Sequence, residues 1–198
     1  MRPTLRPTAR RARLTVLALA LALAAPARAT TLVARPLDAM VRDADAVALV
    51  TAPADAAGLA RWVDGRIVTD LDVTVLEALR GDLPVGRLTL HLPGGTVGAV
   101  TQHLPGAPAF APGGTWIVLL RRTADGAYTV FDLCLGQLPV TLDPVTRGAV
   151  VRPAPTAGIT LVPDPRAPIA VASSALQEIP AAGMAIERFA ALVRALPR

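Results

Sequence analysis

The stretch Arg66-Ile-Val-Thr-Asp-Leu-Asp-Val-Thr-Val75 decides the fold class of this 198-residue chain. Apolar and polar residues alternate along it. The apolar side carries Ile67, Leu71, Val73 and Val75, and the polar side carries Arg66, Asp70, Asp72 and Thr74. A period of two is typical of a β-strand with one buried face. The stretch therefore predicts a strand in a mainly β domain.

Further strand patterns lie on both sides of this stretch. Residues 46–52 are apolar and favour a strand, residues 87–92 alternate again, and residues 115–121 form a nearly continuous apolar run. Such a run is typical of a strand that is covered on both faces. Shorter or looser strands are expected at residues 96–104, 128–135, 138–142 and 148–152. Residues 51–65 are expected to form an Ala-rich loop that ends at an Asp64-Gly65 turn.

The dipeptide Asp125-Gly126 lies between two of these apolar runs. An Asp-Gly pair in this setting is a good signal for a hairpin closed by a type I′ turn, because both central residues of that turn need positive φ. We therefore expect residues 115–121 and 128–135 to pair through this turn.

One helix is expected at each end of the β region. Residues 35–44 favour a short helix because Pro36 suits the first helical position and Asp38 faces the positive end of the helix dipole. Residues 184–198 favour an amphipathic helix, which we expect to dock on the domain's own barrel rather than on a partner. Its apolar stripe consists of Ile186, Phe189, Val193 and Leu196. The Pro-rich segment 153–183 between the β region and this helix is expected to be extended, with at most an edge strand around residues 159–162.

The first 29 residues have the pattern of a secretory signal peptide. Five arginines precede an uncharged apolar run from Leu14 to Ala25, and Ala27-Arg28-Ala29 supplies the small residues that a signal peptidase reads. These 12 apolar residues rise about 18 Å as a helix, short of the roughly 30 Å hydrocarbon core of a membrane. We therefore expect cleavage after Ala29, a secreted or periplasmic protein, and no stable membrane span once the signal is removed.

The basic character of the chain belongs to this leader. The formal net charge is +5, but six of the 20 arginines lie before residue 30, which leaves 14 arginines against 15 acidic residues. A domain with a net charge near −1 lacks the basic surface typical of nucleic-acid-binding proteins. We therefore expect no nucleic-acid partner.

The sequence offers few residues for catalysis. Its only serines are Ser173 and Ser174, outside any G-x-S-x-G elbow, and its single cysteine, Cys134, lies in an apolar stretch typical of the core. There is no P-loop lysine, no H-E-x-x-H and no C-x-x-C motif. We expect a non-catalytic binding or interaction domain without a cofactor or a metal. One alternative is an enzyme that brings together two or more of Asp70, Asp72, Asp132, His91 and His103.

The two histidines each open a copy of His-Leu-Pro-Gly, at His91 and at His103. If the two copies end neighbouring strands, both imidazoles could join Asp70 or Asp72 in a three-ligand zinc or copper site. The favoured alternative is two solvent-facing histidines before proline turns.

A binding surface is expected at the glycine- and proline-rich loops of residues 93–114. The residues nearest to these loops are His91, Thr96, His103, Phe110 and Trp116. The favoured alternative for all five residues is an ordinary role in turns and in the core, because buried aromatic side chains outnumber those used in recognition. The expected ligand is an extracellular or periplasmic protein or a polysaccharide.

Residues 44–50, Ala-Asp-Ala-Val-Ala-Leu-Val, lead into Ile67-Val68-Thr69 and then into residues 73–81, Val-Thr-Val-Leu-Glu-Ala-Leu-Arg-Gly. This succession resembles the opening of netrin-module and metalloproteinase-inhibitor-like OB-fold domains. The Gly- and Pro-rich loops that follow resemble a group of uncharacterised secreted bacterial proteins, so the resemblance covers roughly residues 36–155.

This resemblance implies an OB-like small barrel or an open sandwich over residues 30–152. The inhibitors of that family act through an N-terminal cysteine, which this chain lacks. Their mechanism and their functional residues are therefore not carried over. A modulator or partner of a secreted metalloprotease stays an alternative function.

Overall fold

The structure is a computed structural model that describes residues 30–157, 159–163, 176 and 178–197. The predicted signal peptide lies outside the described residues. Within them the chain forms 13 strands, two α-helices and one short 3₁₀ turn at Leu133–Gly136. The helices are α1 (Leu37–Asp43) and α2 (Ile186–Ala195). The strands are β1 (Thr30–Ala34), β2 (Ala46–Thr51), β3 (Leu59–Val63), β4 (Arg66–Arg80), β5 (Gly86–Pro93), β6 (Gly95–Val97), β7 (Val100–Gln102), β8 (Thr115–Arg122), β9 (Tyr128–Val130), β10 (Gln137–Leu142), β11 (Ala149–Val151), β12 (Ile159–Pro163) and β13 (Met184–Ala185).

Five of these strands close into a barrel. They follow the order β8, β2, β4, β5 and β9, and β9 pairs with β8 to complete the ring. Neighbouring strands are antiparallel except β5 and β9, which are parallel. The mainly β class and the two flanking helices are confirmed. Closure of the ring is consistent with the OB-like barrel and not with the open sandwich.

The long strand β4 organises the barrel. Its predicted apolar side is buried, at Ile67, Leu71, Val73 and Val75. The strand extends five residues beyond the alternating stretch, and this length lets it pair with three neighbours. Its first part pairs with β3, its middle part pairs with β5, and its last part pairs with β2.

A second apolar cluster lies outside the barrel wall, between β2, β8 and the two helices. Ile117 and Leu119 of β8 point into this outer cluster, whereas Val118 and Leu120 point into the barrel interior. The strand is therefore covered on both faces, as its continuous apolar run predicted. Phe189 of α2 lies fully buried in the outer cluster.

The two Asp-Gly turns differ in type. Asp64 and Gly65, between β3 and β4, have φ values of +48° and +75°, which is the pattern of a type I′ turn. In the β8–β9 connection only Gly126 has positive φ, and its N–H donates to the carbonyl of Thr123 over 2.9 Å. The type I′ prediction for Asp125-Gly126 was wrong, because Asp125 does not have positive φ. The N–H of Thr123 donates to the carbonyl of Ala127 over 2.9 Å, which leaves a loop of three residues, and such loops favour a type I turn followed by a left-handed glycine.

Several element boundaries also differ from the sequence prediction. The Ala-rich segment 51–65 contains β3, and residues 96–104 form the separate β6–β7 hairpin. The strand expected at residues 128–135 ends at Val130, because Asp132 and Leu133 have φ values of +53° and +55°. The edge strand expected at residues 159–162 is present as β12, which pairs in parallel with β1.

Substituting Gly126 with Val tests the β8–β9 connection. We expect a loss of about 1–2 kcal/mol in the free energy of unfolding, because a β-branched residue is strained at positive φ. No atom lies within 4 Å of the position that a Cβ would take, so the cost comes from the backbone alone. Urea unfolding measures the difference. An unchanged midpoint would contradict the left-handed glycine.

Candidate functional site

A cleft of about 700 Å³ lies on the outer face of β3, β4 and β5. Strand pairing builds its floor, because Arg61 lies opposite Val68 and Asp70 lies opposite His91. The β8–β9 connection, residues 123–127, forms one wall. Apolar groups, among them Val63, Val68, Pro93 and Leu104, line much of the surface. Its polar groups come from Arg61, Asp64, Arg66, His91, Gln102, Thr123, Asp125 and Thr129.

Four charged or polar side chains from four different segments meet at this cleft. The Arg61 guanidinium donates from Nε to Asp70 Oδ2 over 2.6 Å and from Nη2 to Asp70 Oδ1 over 3.2 Å. The same Nη2 lies 3.3 Å from Nε2 of His91. On the other side of the ring, Nδ1 of His91 lies 3.7 Å from Oδ2 of Asp125. The network joins β3, β4 and β5 to the β8–β9 connection.

The imidazole of His91 lies between two carboxylates and a guanidinium. Its Nε2 is 3.4 Å from Oδ1 of Asp70 as well as 3.3 Å from Nη2 of Arg61, and its Nδ1 faces Asp125. The ring therefore contacts every other member of the network.

The pKa values of two carboxyl groups near the cleft, Asp72 and Asp125, are lowered, which favours their ionised forms. Hydrogen bonds from the Thr123 hydroxyl and the Ala127 amide, together with the nearby His91, hold the pKa of Asp125 below its ordinary value. Hydrogen bonds from Arg87 and Thr89 lower the pKa of Asp72 in the same way. Beside the cleft, the outer face therefore carries a second ion pair, between Asp72 and Arg87.

Of the five predicted binding residues, His91 lines the cleft. Thr96 lies exposed on β6, where its hydroxyl is 2.9 Å from the hydroxyl of Thr101. His103 is exposed and does not line the cleft. Across the described residues, no group of three or more His, Cys, Asp or Glu side chains is placed to hold a metal ion. The three-ligand site that would use both histidines is therefore not formed.

The predicted aromatic pair packs on the barrel. Phe110 and Trp116 make an edge-to-face contact, with ring centroids 5.6 Å apart and planes at 73°. Both side chains lie partly buried against the interior cluster. In the described structure the indole N–H of Trp116 is buried without a hydrogen-bond partner. Their placement matches the core-packing alternative, and neither residue lines the cleft.

The His and Asp residues expected of a sparse enzyme site come together only in part. Asp70 Oδ1 lies 3.4 Å from Nε2 of His91, whereas Asp72 pairs with Arg87 and Asp132 lies 3.3 Å from Arg35. Arg61 already contacts both members of the close pair. Among the described residues, no serine, threonine or cysteine hydrogen-bonds to His91. Cys134 is buried elsewhere, and burial raises the pKa of its thiol.

Sequence reasoning missed Arg61, Gln102 and Asp125 as members of the site. Arg61 lies in residues 51–65, which were predicted to form an Ala-rich loop, so it was not considered as a strand residue. A signal for it existed, because a type I′ turn at Asp64-Gly65 would pair residues 59–63 with residues 66–70. In that pairing Leu59 lies opposite Asp70, and Arg61 lies two residues further along the same strand.

No protein-family model, no curated protein and no solved structure matches this chain. The resemblance to netrin-module and metalloproteinase-inhibitor-like domains therefore stays a prediction. A helix long and apolar enough to cross a membrane is not found in the described ranges.

The lowered pKa values predict how stability depends on pH. A carboxylate whose pKa is lower in the folded state stabilises the fold above its unfolded pKa, and this contribution is lost as pH falls through the folded pKa. For Asp72 and Asp125 the loss begins near the ordinary value of 3.8 and continues below it. We expect Asp72→Asn to lower the unfolding midpoint at pH 7 and to have little effect near pH 2. Thermal unfolding across this range checks it, and a constant difference would contradict it.

Proposed function

We propose that this chain is an exported, non-catalytic binding domain that holds its ligand in the cleft on the outer face of β3, β4 and β5. The position and form of the cleft carry the proposal. Its volume of about 700 Å³ falls within the range of known ligand sites. Its lining combines apolar side chains with a few converging polar groups, which is also typical of such sites.

The place of the cleft in the barrel supports the same function. β4 and β5 are the second and third strands of the closed ring in chain order. The cleft is bounded by the connection between the first and second strands, which contains β3, and by the connection between the fourth and fifth strands. OB barrels bind their ligands on this face and between these two connections.

The lining favours a protein ligand over a polysaccharide. Sugar rings are commonly held against the flat face of an aromatic side chain. No Phe, Tyr or Trp is among the residues that line the cleft. Aliphatic side chains beside Arg61, Arg66 and Asp125 suit a polypeptide, which offers apolar and charged side chains together.

Paired binding measurements test the location of the site. The full chain, purified from the culture as the cell processes it, is screened against a random twelve-residue peptide library and a panel of bacterial polysaccharides. We expect His91→Ala to weaken binding of the recovered ligand by about tenfold, the effect of losing about 1.4 kcal/mol of interaction. His103→Ala is the matched control and should leave binding unchanged, because His103 is exposed outside the cleft. Equal effects of the two changes, or no binding of either class of probe, would contradict the proposed site.

Export has its own test. The sequence pattern of residues 1–29 supports it, and expression with this segment intact in a bacterial host should yield an envelope or secreted protein. N-terminal sequencing should then give Thr30 as the first residue. A cytoplasmic protein that retains residues 1–29 would contradict export without bearing on the cleft.

A further inference from the structure

We propose that β3 accepts an extended segment of a partner protein as an added antiparallel strand. This inference rests on the proposed function, because β3 borders the same cleft, and it names the class of ligand. Strand addition of this kind uses main-chain hydrogen bonds for affinity and alternate side chains for specificity.

The free edge of β3 is the first support. In the described part of the chain β3 pairs only with β4. Residues that flank a two-residue turn exchange hydrogen bonds, so Val63, and then every second residue of β3, directs its backbone groups toward β4. Ala60 and Trp62 therefore direct theirs away from β4, and no described residue hydrogen-bonds to them.

The hydrogen bonds of β4 agree with this assignment. Ile67 lies opposite Trp62, and its backbone groups also point away from the β3–β4 seam. Its N–H donates to Oε1 of Gln102 over 2.8 Å, and its carbonyl accepts from the N–H of Gly94 over 2.8 Å. The pair Trp62 and Ile67 is thus a non-hydrogen-bonded pair, which leaves the Trp62 amide and carbonyl for a further strand.

The side chains of β3 leave this edge open. Proteins usually protect a free edge with proline, with charged side chains, lysine above all, or with a bulge. The sequence Leu-Ala-Arg-Trp-Val has no proline, its one charged side chain, Arg61, is bound to Asp70, and its pairing with β4 runs without a register shift. Leu59 is 74% exposed and Trp62 is 52% exposed, on opposite faces of the strand. An added strand would contact both side chains.

A second copy of this chain fits the edge poorly. The symmetric antiparallel register that uses Ala60 and Trp62 of both copies places Arg61 opposite Arg61. Like charges directly opposite each other destabilise a strand pair. A segment of different sequence avoids this repulsion.

The charges beside the edge define that segment. Two nitrogens of Arg61 contact Asp70 and His91, whereas its Nη1 has no hydrogen-bond partner among the described residues. Arg66 also lines the cleft but lies on β4, and the carboxylates of Asp64 and Asp125 line it as well, so the charge next to an added strand is that of Arg61. An acidic residue opposite Arg61 complements its free Nη1, and aliphatic residues suit the positions opposite Leu59 and Val63. The expected partner segment therefore reads aliphatic, any residue, acidic, any residue, aliphatic.

Amide hydrogen exchange by NMR tests the proposal on the full, processed chain. The probe is a synthetic peptide taken from the random twelve-residue library described above. In the free protein the Ala60 and Trp62 amides should exchange fast, while the Arg61 and Val63 amides should already be protected. On peptide binding we expect Ala60 and Trp62 to become protected by at least tenfold. Arg61 and Val63 should change little.

Backbone methylation of the peptide supplies a matched control. Methylating the peptide nitrogens that face β3 removes donors, and we expect about a tenfold loss of affinity for one or two lost hydrogen bonds. Methylating the alternate nitrogens, which point away from β3, should leave affinity nearly unchanged. Equal losses from both sets would overturn strand addition.

The remaining outcomes separate this inference from the proposed function. If a peptide or a polysaccharide shifts the cleft resonances while Ala60 and Trp62 stay unprotected, strand addition is wrong and the cleft function stands. Protection of these amides in the free monomer would mean that the chain covers its own edge, and protection that appears only with dimer formation would mean a second copy. Either result overturns the inference. If no probe binds, both proposals fail.

Discussion

Replacing Phe189 with Ala is expected to lower the free energy of unfolding by about 3–5 kcal/mol, the usual cost of removing a buried aromatic ring. Phe189 is fully buried in the cluster between the two helices and the outer faces of β2 and β8. The truncated side chain would leave a cavity lined by several elements, which cannot all move inward. Urea unfolding followed by circular dichroism measures the loss.

Arg188→Ala is the matched control for this substitution, because Arg188 lies next to Phe189 on α2 and is exposed. Its effect should stay within about 0.5 kcal/mol. If the two variants unfolded at the same urea concentration, helix α2 would not belong to the cooperative unit. The expected difference follows from α2 docking on its own domain, as the apolar stripe predicted.

A second contact fixes the end of α2 to the barrel. Arg80 of β4 donates to the carbonyls of Leu196 and Pro197, each over 2.9 Å.

Gly81→Ala is the second change with a large expected effect, about 3 kcal/mol or more. Gly81 follows β4 with φ of +83°, a conformation that costs an alanine energy before any contact is considered. A Cβ would also lie 2.5 Å from the carbonyl oxygen of Asp45 and 2.9 Å from Cα of Ala46. Ala46 is the first residue of β2, and Asp45 directly precedes it and donates its N–H to the carbonyl of Leu120 in β8. Neither residue can move without disturbing the barrel wall.

Gly126→Ala separates the two causes of this expected loss. Gly126 has φ of +87°, close to that of Gly81, but a Cβ there would meet nothing within 4 Å. Its cost should therefore be the backbone strain alone, about 1–2 kcal/mol. Thermal and urea unfolding of the two variants gives the comparison. Equal losses would show that the close approach of Gly81 to β2 contributes nothing.

The barrel itself was predictable because strand periodicity records burial directly. The alternation at residues 66–75 follows from one face packing inside a closed sheet, and the same rule found β5. The continuous apolar run of β8 instead indicated burial on both faces. The stripe of α2 was visible for the same reason, with a different period. These patterns are local in the sequence, so they can be detected without knowing which strands are neighbours.

The site was harder to predict because it depends on pairing between distant segments. His91 was singled out, but its partners Arg61 and Asp125 lie 30 and 34 positions away in the sequence. Only the pairing of β3 with β4 and the turn after β8 bring them together. His103, by contrast, shares a motif with His91, but it lies just after the β6–β7 hairpin instead of within a barrel strand, and it is exposed. A repeated tetrapeptide carries no information on which strand its copies join.

The parallel pair β1 and β12 has a consequence for the order in which the chain becomes stable. Thr30 pairs with Ile159, so this contact closes a loop of about 130 residues at a high entropic cost. A two-stranded sheet on its own is at best marginally stable in water. We therefore expect β1 and β12 to join late in folding and to separate first by local opening. The barrel can then stay folded while β1 and β12 detach.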